Sequence, residues 1–411
     1  MLEFFGPDVD RHRFRVLGPS LTLLGREGAT DIAIEDPGIS RRHAAFELAD
    51  GVTTIGDLGS ANGLFVNGGR VRSRALADGD LIRVGDTLLR YFEAWPYAAS
   101  ELDPRQAPLV GGFALDDVRA RLVRAAASPS TVLVLGETGT GKELAARLLH
   151  DAGARPGGPF VAVNCAALPA ELAEAELFGA AKGAYTGAEA PRTGLVRAAD
   201  GGTLLLDEIG ELSLGAQAKL LRVLELHRVR AVGTTDETPV DFRVVAATNA
   251  DLERRVADGL FRLDLYGRIA RLVVRLPPLR EHFEDVPALV QRFLLDVGEG
   301  DVEVSPDAME QLCLRPWPAN VRELHAAMER ALFEADGARV LGKERFSSIA
   351  RAGEGGPSEE ATPAEAEALL EALRAAEGDV EAAAARLGIG RSQLYRRAKR
   401  HGVSVSSFRR G

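Results

Sequence analysis

Residues 136–142 read Gly136-Glu137-Thr138-Gly139-Thr140-Gly141-Lys142, directly after the apolar run Val132-Leu133-Val134-Leu135 and directly before a helix-forming stretch from Glu143 to about Ala152. A glycine-rich turn between a buried strand and a helix lets successive backbone N–H groups face one anion, and the helix N-terminus adds partial positive charge. Lys142 brings a full charge to the β and γ phosphates of a nucleoside triphosphate. Gly136, Glu137, Thr138, Gly139, Thr140, Gly141, Lys142 and Glu143 are therefore the candidate nucleotide-binding residues. Glu143 stands where such loops usually place the Ser or Thr that holds Mg²⁺, which shifts metal ligation onto a second acid.

That acid follows the run Leu204-Leu205-Leu206: Asp207 is the candidate Mg²⁺ ligand, and Glu208 the general base that polarises an attacking water. ATP and Mg²⁺ are the cofactors these groups imply. The runs at 132–135, 204–206 and 244–247, with helical stretches between them, have the rhythm of a parallel sheet in an α/β fold. Outward from this block the composition changes twice, near 94–108 and 353–363, where Pro, Ala, Gly and acidic residues mark linkers. The expected organisation is a first domain over 1–97, a linker over 98–108, the α/β domain over 109–350, a linker over 351–363 and a last domain over 364–411.

The chain of 411 residues is 46% hydrophobic and 27% charged, has no apolar run of eighteen, and begins without the continuous apolar segment of a secretory signal; a soluble protein away from membranes is expected. Cys165 and Cys313 stand alone without CxxC spacing, which suggests neither a disulfide framework nor a zinc site and points to the cytoplasm. The net charge of -10 argues against a protein coated with nucleic acid, yet from Arg386 onward there are eight Lys or Arg and no Asp or Glu.

Further stretches carry a resemblance. Glu176-Leu-Phe-Gly179, Gly183-Ala-Tyr-Thr-Gly-Ala188, Gly201-Gly-Thr-Leu-Leu-Leu-Asp-Glu-Ile-Gly210, Leu220-Leu-Arg-Val-Leu224 and Trp317-Pro-Ala-Asn-Val-Arg-Glu-Leu324 resemble, in order and spacing, the central AAA+ domain of sigma-54-dependent transcriptional activators. The resemblance spans roughly Val110 to Ala350 and implies an ATPase with a helical lid. It implies that Gly183, Ala184, Tyr185, Thr186, Gly187 and Ala188 form the loop that grips the sigma factor, with Tyr185 where Phe is usual. It makes Asn164 the switch asparagine that holds Glu208, Thr248 and Asn249 the first sensor, and Arg322 the second. Arg262 and Arg268 resemble fingers inserted into a neighbour's active site, which implies a homo-oligomer running from dimer to hexameric ring; Gly267 departs from the bulkier residue frequent there.

The first block alternates short apolar runs with Gly, Asp and Asn turns, the pattern of a β-sandwich. Gly25-Arg26, Ser40-Arg-Arg-His43, Gly59-Ser-Ala-Asn-Gly63 and Val66-Asn-Gly68 resemble the signature of forkhead-associated (FHA) domains over about Phe14 to Phe92. A phosphothreonine needs a cation and hydroxyl or amide donors on converging loops. Arg26, Ser40, Arg41 and Ser60 fit that need, Asn62 would hold the ligand backbone, and His43 braces the loop. The ligand would be a phosphothreonine-bearing partner or a phosphorylated segment of this chain.

In the last block Leu369, Leu370 and Leu373 give one helix an apolar face, Asp379 is an N-cap for a second, and the residues from Gly390 to Arg400 read as a third. This resembles a Fis-type helix-turn-helix, with Arg391, Ser392, Gln393, Arg396, Arg397 and Arg400 left for DNA. The fold class is thus multidomain: an N-terminal β-sandwich, a central α/β P-loop ATPase and a C-terminal all-α DNA-binding domain. The expected function is phosphothreonine-responsive, ATP-driven remodelling of the sigma-54 RNA polymerase holoenzyme from a palindromic enhancer. The alternatives are a remodeller of another protein, or a phosphopeptide-controlled repressor whose ring is inactive.

Overall fold

Leu204, Leu205 and Leu206 are all buried, but against different neighbours. Leu204 and Leu206 pack with Leu133, Val244 and Ala246 on one face, and Leu205 with Val132, Val134, Val245 and Ala247 on the other. Strands covered on both faces read as unbroken apolar runs, which is why these stretches stand out in the sequence. In this computed structural model residues 2–5, 13–15, 17, 21–26, 30–94, 109–169, 171–184, 190–347 and 386 are described. The chain divides into two compact units, 1–347 and 348–411, and of the second only Arg386 is described.

The sandwich comprises β1 (Leu2–Phe5), β2 (Arg13–Arg15), β3 (Leu21–Gly25), β4 (Ile32–Ala33), β5 (Ala44–Ala49), β6 (Val52–Asp57), β7 (Leu64–Val66), β8 (Gly69–Val71), β9 (Ser73–Ala75), β10 (Leu81–Val84) and β11 (Thr87–Tyr91). One sheet has the order β2-β1-β11-β10-β7-β8, the other β4-β3-β5-β6-β9. Between them Leu24, Phe46, Ile55, Leu64, Val66, Ile82, Val84 and Leu89 form one core. Alternation in β5 and β6 sends Ala44, Phe46 and Ile55 inward and leaves the facing pair Glu47 and Thr54 outside, as in a one-sided antiparallel pair.

The α/β part runs α1 (Phe113–Ala126), β12 (Val132–Leu135), α2 (Lys142–Asp151), β13 (Phe160–Asn164), α3 (Ala173–Phe178), α4 (Leu195–Ala198), β14 (Thr203–Asp207), α5 (Leu214–Leu226), β15 (Arg228–Arg230), β16 (Glu237–Pro239), β17 (Arg243–Thr248), α6 (Leu252–Ala257), α7 (Leu263–Ile269) and β18 (Leu272–Arg275). Its sheet is parallel, in the order β13-β14-β17-β12-β18. A lid follows with α8 (Val286–Asp296), β19 (Glu303–Val304), α9 (Pro306–Cys313), α10 (Asn320–Ala335), β20 (Val340–Leu341) and α11 (Glu344–Ser347). The three strands and the helix after Lys142 fall within a residue or so of the sequence expectation. The first two blocks, read as separate domains, lie within one compact unit.

Among the described residues no helix is long and apolar enough to cross a membrane. The expected third block and both linkers lie outside the described residues, Arg386 excepted. Cys165 and Cys313 are free thiols and buried. Burial, followed by the charges of Asp207 and Glu208, pushes the Cys165 thiol up to about 12; burial, followed by Glu284 and Glu310, pushes Cys313 up as well. Only thiolate reacts at appreciable rate. Native protein at pH 8 should therefore react with an aromatic disulfide reagent at least about a hundredfold more slowly than denatured protein, and fast native labelling of either thiol would contradict this packing.

Candidate nucleotide and phosphopeptide sites

The parallel sheet places four strand ends along one edge. Asn164 of β13 is in register with Asp207 of β14, and Leu135 of β12 with Thr248 of β17. A crevice at the carboxyl ends of parallel strands is the usual place for a ligand in such sheets. Here it is a cleft of about 1280 Å³, walled by the phosphate loop, the ends of β13 and β14, and residues of α8 and α10 such as Leu289, Arg292, Arg322 and His325.

The loop takes its shape from two glycines in the left-handed region, Gly139 (φ 79°) and Gly141 (φ 92°). The Thr140 hydroxyl donates to Glu137 O at 2.8 Å, and the Lys142 ammonium donates to Gly136 O at 3.1 Å and pairs with Glu208 at 3.2 Å. Lys142 opens α2, so its charge and the free N–H groups of the helix start point into one space. Thr138, Glu143 and the rest of the loop from Gly139 to Lys142 line the cleft, whereas Glu137 turns away from it. The Glu137 carboxylate is clasped by Arg280 at 2.6 and 2.7 Å and by Asn320 Nδ2 at 3.2 Å, and Arg280 first, with Asn320 adding, holds it below the usual carboxylate range. Its contribution to the nucleotide site is therefore to the loop's shape.

Asp207 and Glu208 leave the buried strand side by side. Asp207 Oδ1 is buried and has no hydrogen-bond donor. Burial, then the charge of Glu208, raises the Asp207 carboxyl above its ordinary value, with Lys142 pulling the other way. A buried carboxylate oxygen without a donor, beside a second acid, fits a hard cation as its partner. Glu208 adopts φ 50°, an orientation that costs a non-glycine residue about 1–3 kcal/mol and aims its side chain back across the cleft. There Glu208 Oε2 accepts from the Thr248 hydroxyl at 3.2 Å and from Asn249 N at 3.1 Å.

Thr248 and Asn249, read as a sensor, thus hold Glu208 directly, and Asn249 Nδ2 also reaches the Thr138 hydroxyl at 3.0 Å. Asn164 departs from expectation. It lines the cleft, but its Oδ1 accepts from Ala166 N at 3.0 Å, capping the short 3₁₀ turn Cys165–Ala167, and Glu208 is held by Lys142, Thr248 and Asn249 instead. Arg322 is exposed on the cleft wall. Arg262 and Arg268 are not among the residues lining the cleft: Arg262 forks onto Asp264 at 2.7 and 3.0 Å at the exposed start of α7, and Arg268 donates to Leu224 O at 2.9 Å.

Of the expected sigma-factor loop, Gly183 and Ala184 are described, while Tyr185, Thr186, Gly187 and Ala188 lie outside the described residues. The loop's base is closed by paired hydrogen bonds between Ala180 and Arg192, at 2.9 and 3.1 Å, and a third from Ala181 N to Val232 O at 2.9 Å. Ala184 abuts the turn at Gly233, where a side chain would collide with it.

In the sandwich Arg26, Ser40, Arg41, Ser60 and Asn62 come together on neighbouring loops. Arg26 N donates to Ser40 O at 3.0 Å, Ala61 N to Ser40 Oγ at 3.1 Å, Asn62 Nδ2 to Gly38 O at 2.8 Å, and Ser60 N to Asp57 Oδ1 at 2.9 Å. Ser60 Oγ is buried next to the Asp57 carboxylate. His43 is fully buried and braces the cluster through Nδ1 to Ser40 N, 3.2 Å, and Nε2 to Gly63 O, 3.1 Å. Gly25 has to be glycine because a Cβ there would overlap the Arg41 carbonyl oxygen.

The reading from sequence missed Arg280 and the tie from the lid to the loop. Val321 N donates to Gly139 O at 3.1 Å, and Asn320, at φ 54° and fully buried, bonds Thr138 O and Leu279 N as well as Glu137. Asn320 lay within the quoted 317–324 stretch; Arg280 gave no signal because its partner is 143 positions away.

Comparison with known proteins finds the sigma-54 interaction domain matching residues 112–275, the FHA domain 22–85, an AAA+ ATPase lid domain 280–362, and the Fis family of bacterial regulatory proteins 362–401. Regulatory protein AtoC of Escherichia coli is 40% identical over 311 residues, covering 72% of this chain and 68% of AtoC. The DNA-binding transcriptional regulator NtrC of Rhizobium meliloti is 46% identical over 235 residues, covering 56% of this chain and 49% of NtrC, so the chain spans about half the length of that relative. The crystal structure of NtrX from Brucella abortus in complex with ATP is 32% identical with a TM-score of 0.55, covering 71% of this chain and 69% of that one.

The backbone of the phosphate loop allows a direct check. A methyl group at Gly139 would meet both a left-handed φ and the Ala319 carbonyl oxygen, whereas Gly157 has nothing within 4 Å. Gly139→Ala should weaken binding of a fluorescent ATP analogue at least about tenfold with Gly157→Ala unchanged, and equal affinities would contradict the assigned cleft.

Proposed function

Because the chain belongs to the family of sigma-54-interacting AAA+ transcriptional activators, we propose that it hydrolyses ATP and uses the cycle to remodel a sigma-54 RNA polymerase holoenzyme at a promoter. The observation that carries this reading is the pair at the end of β14: Asp207 with a donor-free buried oxygen, and Glu208 pinned by Lys142, Thr248 and Asn249. Lys142 and the start of α2 would bind the β and γ phosphates, and Asp207 would hold Mg²⁺. When bound, that ion supplies charge neutralisation at the phosphate oxygens. Glu208 then orients and deprotonates the attacking water, and Arg322 senses the γ-phosphate from the lid.

Arg262 and Arg268 act in trans. Neither lines this chain's own cleft, and Arg262 sits exposed beside a single acid at the start of α7, free to exchange Asp264 for a neighbour's phosphate. Hydrolysis therefore depends on assembly, and a hexameric ring is the working form. Asn164 would take hold of Glu208 at another stage of the cycle. The segment from Gly183 to Ala188 would carry the stroke to the sigma factor, its base anchored at Ala180, Arg192 and Val232.

The FHA sandwich reads phosphothreonine with Arg26, Ser40, Arg41, Ser60 and Asn62; the convergence of these side chains on neighbouring loops braced by His43 supports that reading. Arg391, Ser392, Gln393, Arg396, Arg397 and Arg400 contact a palindromic enhancer through the Fis-type domain, and the cytoplasm is the compartment in which such a complex works.

Glu208→Gln should lower steady-state ATPase by about 10²–10⁴-fold with ATP affinity kept. Thr186→Ala should leave ATPase within about threefold while abolishing transcription from a sigma-54 promoter in a reconstituted assay. Full turnover in the first variant, or activation by the second, would contradict the mechanism. A phosphothreonine peptide should bind the chain with an anisotropy change that Arg26→Ala weakens at least about tenfold, and equal binding of unphosphorylated peptide would remove the sensory role.

A further inference from the structure

Two glutamates on the ATPase lid have their cations on the sandwich. The Glu284 side chain is 0% exposed and receives Arg90 of β11, whose guanidinium also donates to Glu281 O at 3.1 Å and lies 4.6 Å from the centre of the Phe283 ring. The Glu310 side chain, on α9 and 5% exposed, takes Arg83 Nε of β10 at 2.8 Å on one oxygen and Gly68 N at 3.0 Å on the other. Buried ion pairs with both carboxylate oxygens engaged, as at Glu310, or with aromatic rings packed near the guanidinium, as Phe92 and Phe283 are at Arg90, are specific contacts, since burying either charge without the other is strongly unfavourable. They differ in this from the exposed ion pairs elsewhere on the surface.

The places they touch matter more than their number. Residues 279–285 join β18 to α8, and they serve several masters in succession. Arg280 grips Glu137 in the phosphate loop, His282 lines the cleft, and Asp285 accepts from Gly112 N just before α1. Between these, Glu281, Phe283 and Glu284 are held by Arg90. On the sandwich side, Gly68 lies two residues after β7, a strand of three residues preceded by Gly63, whose carbonyl is held by His43 beneath the candidate phosphothreonine loops. One short strand thus separates the candidate phosphate-reading loop from the lid contact.

We propose that the Arg83 and Arg90 face of the sandwich is a docking surface for the lid of the same chain, and that this contact couples nucleotide in the cleft to phosphopeptide on the sandwich loops. The proposal rests on the reading of both sites given above. The physical basis is linkage: a lid that shifts with nucleotide state must either carry the sandwich with it or part the two ion pairs, and the free energy of parting them enters the affinity of each ligand. Coupling of this kind is reciprocal, so whatever nucleotide does to phosphopeptide affinity, phosphopeptide does to nucleotide affinity by the same factor.

Three full-length proteins test it: the natural chain, Arg83→Glu with Arg90→Glu, and that double reversal combined with Glu310→Arg and Glu284→Arg, which swaps both pairs and keeps their attraction. Hydrogen exchange reports docking without either ligand. Segments 81–91 and 281–286 should lose protection together in the double reversal and regain it when both pairs are swapped; equal protection in all three overturns the docking. A fluorescent ATP analogue then reports coupling. Its affinity in the natural chain should change at least about fivefold on saturation with a phosphothreonine peptide, a change abolished by the double reversal and restored by the swap. An affinity indifferent to peptide in the natural chain, or a change that survives the double reversal, overturns the coupling. If the natural chain binds no analogue or no peptide, the corresponding site assignment fails along with the coupling, while the exchange data still decide the docking.

Discussion

Two carboxylates packed side by side at the end of one buried strand, beside a neutral buried thiol that follows the neighbouring strand, demand compensating positive charge, and that demand organises the centre of this protein. Asp207, Glu208 and Cys165 crowd together closely enough for each acid to raise the thiol and for Glu208 to raise Asp207. Lys142, with its side chain 7% exposed, is the cation that answers them, 3.2 Å from Glu208. Removing it would leave acids in a partly desolvated cleft without a counter-ion, a loss of about 3–5 kcal/mol by analogy with other broken buried pairs. The parallel register of β13, β14, β17 and β12 brings these groups to one edge, and the glycines of the phosphate loop let the lysine cross to the acids.

Around that centre the lid is tied in by groups that bind nothing themselves. Asn320 and Arg280 hold Glu137, Val321 holds Gly139, and Arg322, one residue on, is left facing the cleft. The arrangement makes the shape of the phosphate loop depend on lid position, which is the kind of geometric dependence a motor requires. It also means that a change in the lid reaches the phosphate loop directly, through Arg280, Asn320 and the backbone of Val321.

Much of this could be read from the sequence, and for identifiable reasons. The strands at 132–135, 203–207 and 243–248 are buried on both faces, so their apolar runs are unbroken and visible. The phosphate loop is local, its residues adjacent in the chain, and so is the Asp207–Glu208 pair. The sandwich was legible through the joint spacing of the stretches from Gly25 to Gly68, which resembles the FHA signature, and the FHA domain matches residues 22–85. What escaped were pairings between distant positions: Arg280 with Glu137, Arg90 with Glu284, Arg83 with Glu310. A surface-looking arginine in sequence carries no mark of the acid it meets after folding. Asn164 is a different case: the resemblance gave it Glu208 as a partner, whereas its Oδ1 accepts from Ala166 N.

In the mechanism we propose, one cleft is completed by two subunits, its phosphate loop and acids from one chain and its arginines from the next. Mixing two separately inactive proteins, Lys142→Ala and Arg262→Ala, measures this most directly through ATPase activity. Arg262 of the first variant would enter the intact cleft of the second, so the mixture should recover activity well above the sum of its parts. A mixture no more active than that sum, or an Arg262→Ala protein that hydrolyses ATP at the natural rate alone, would contradict it.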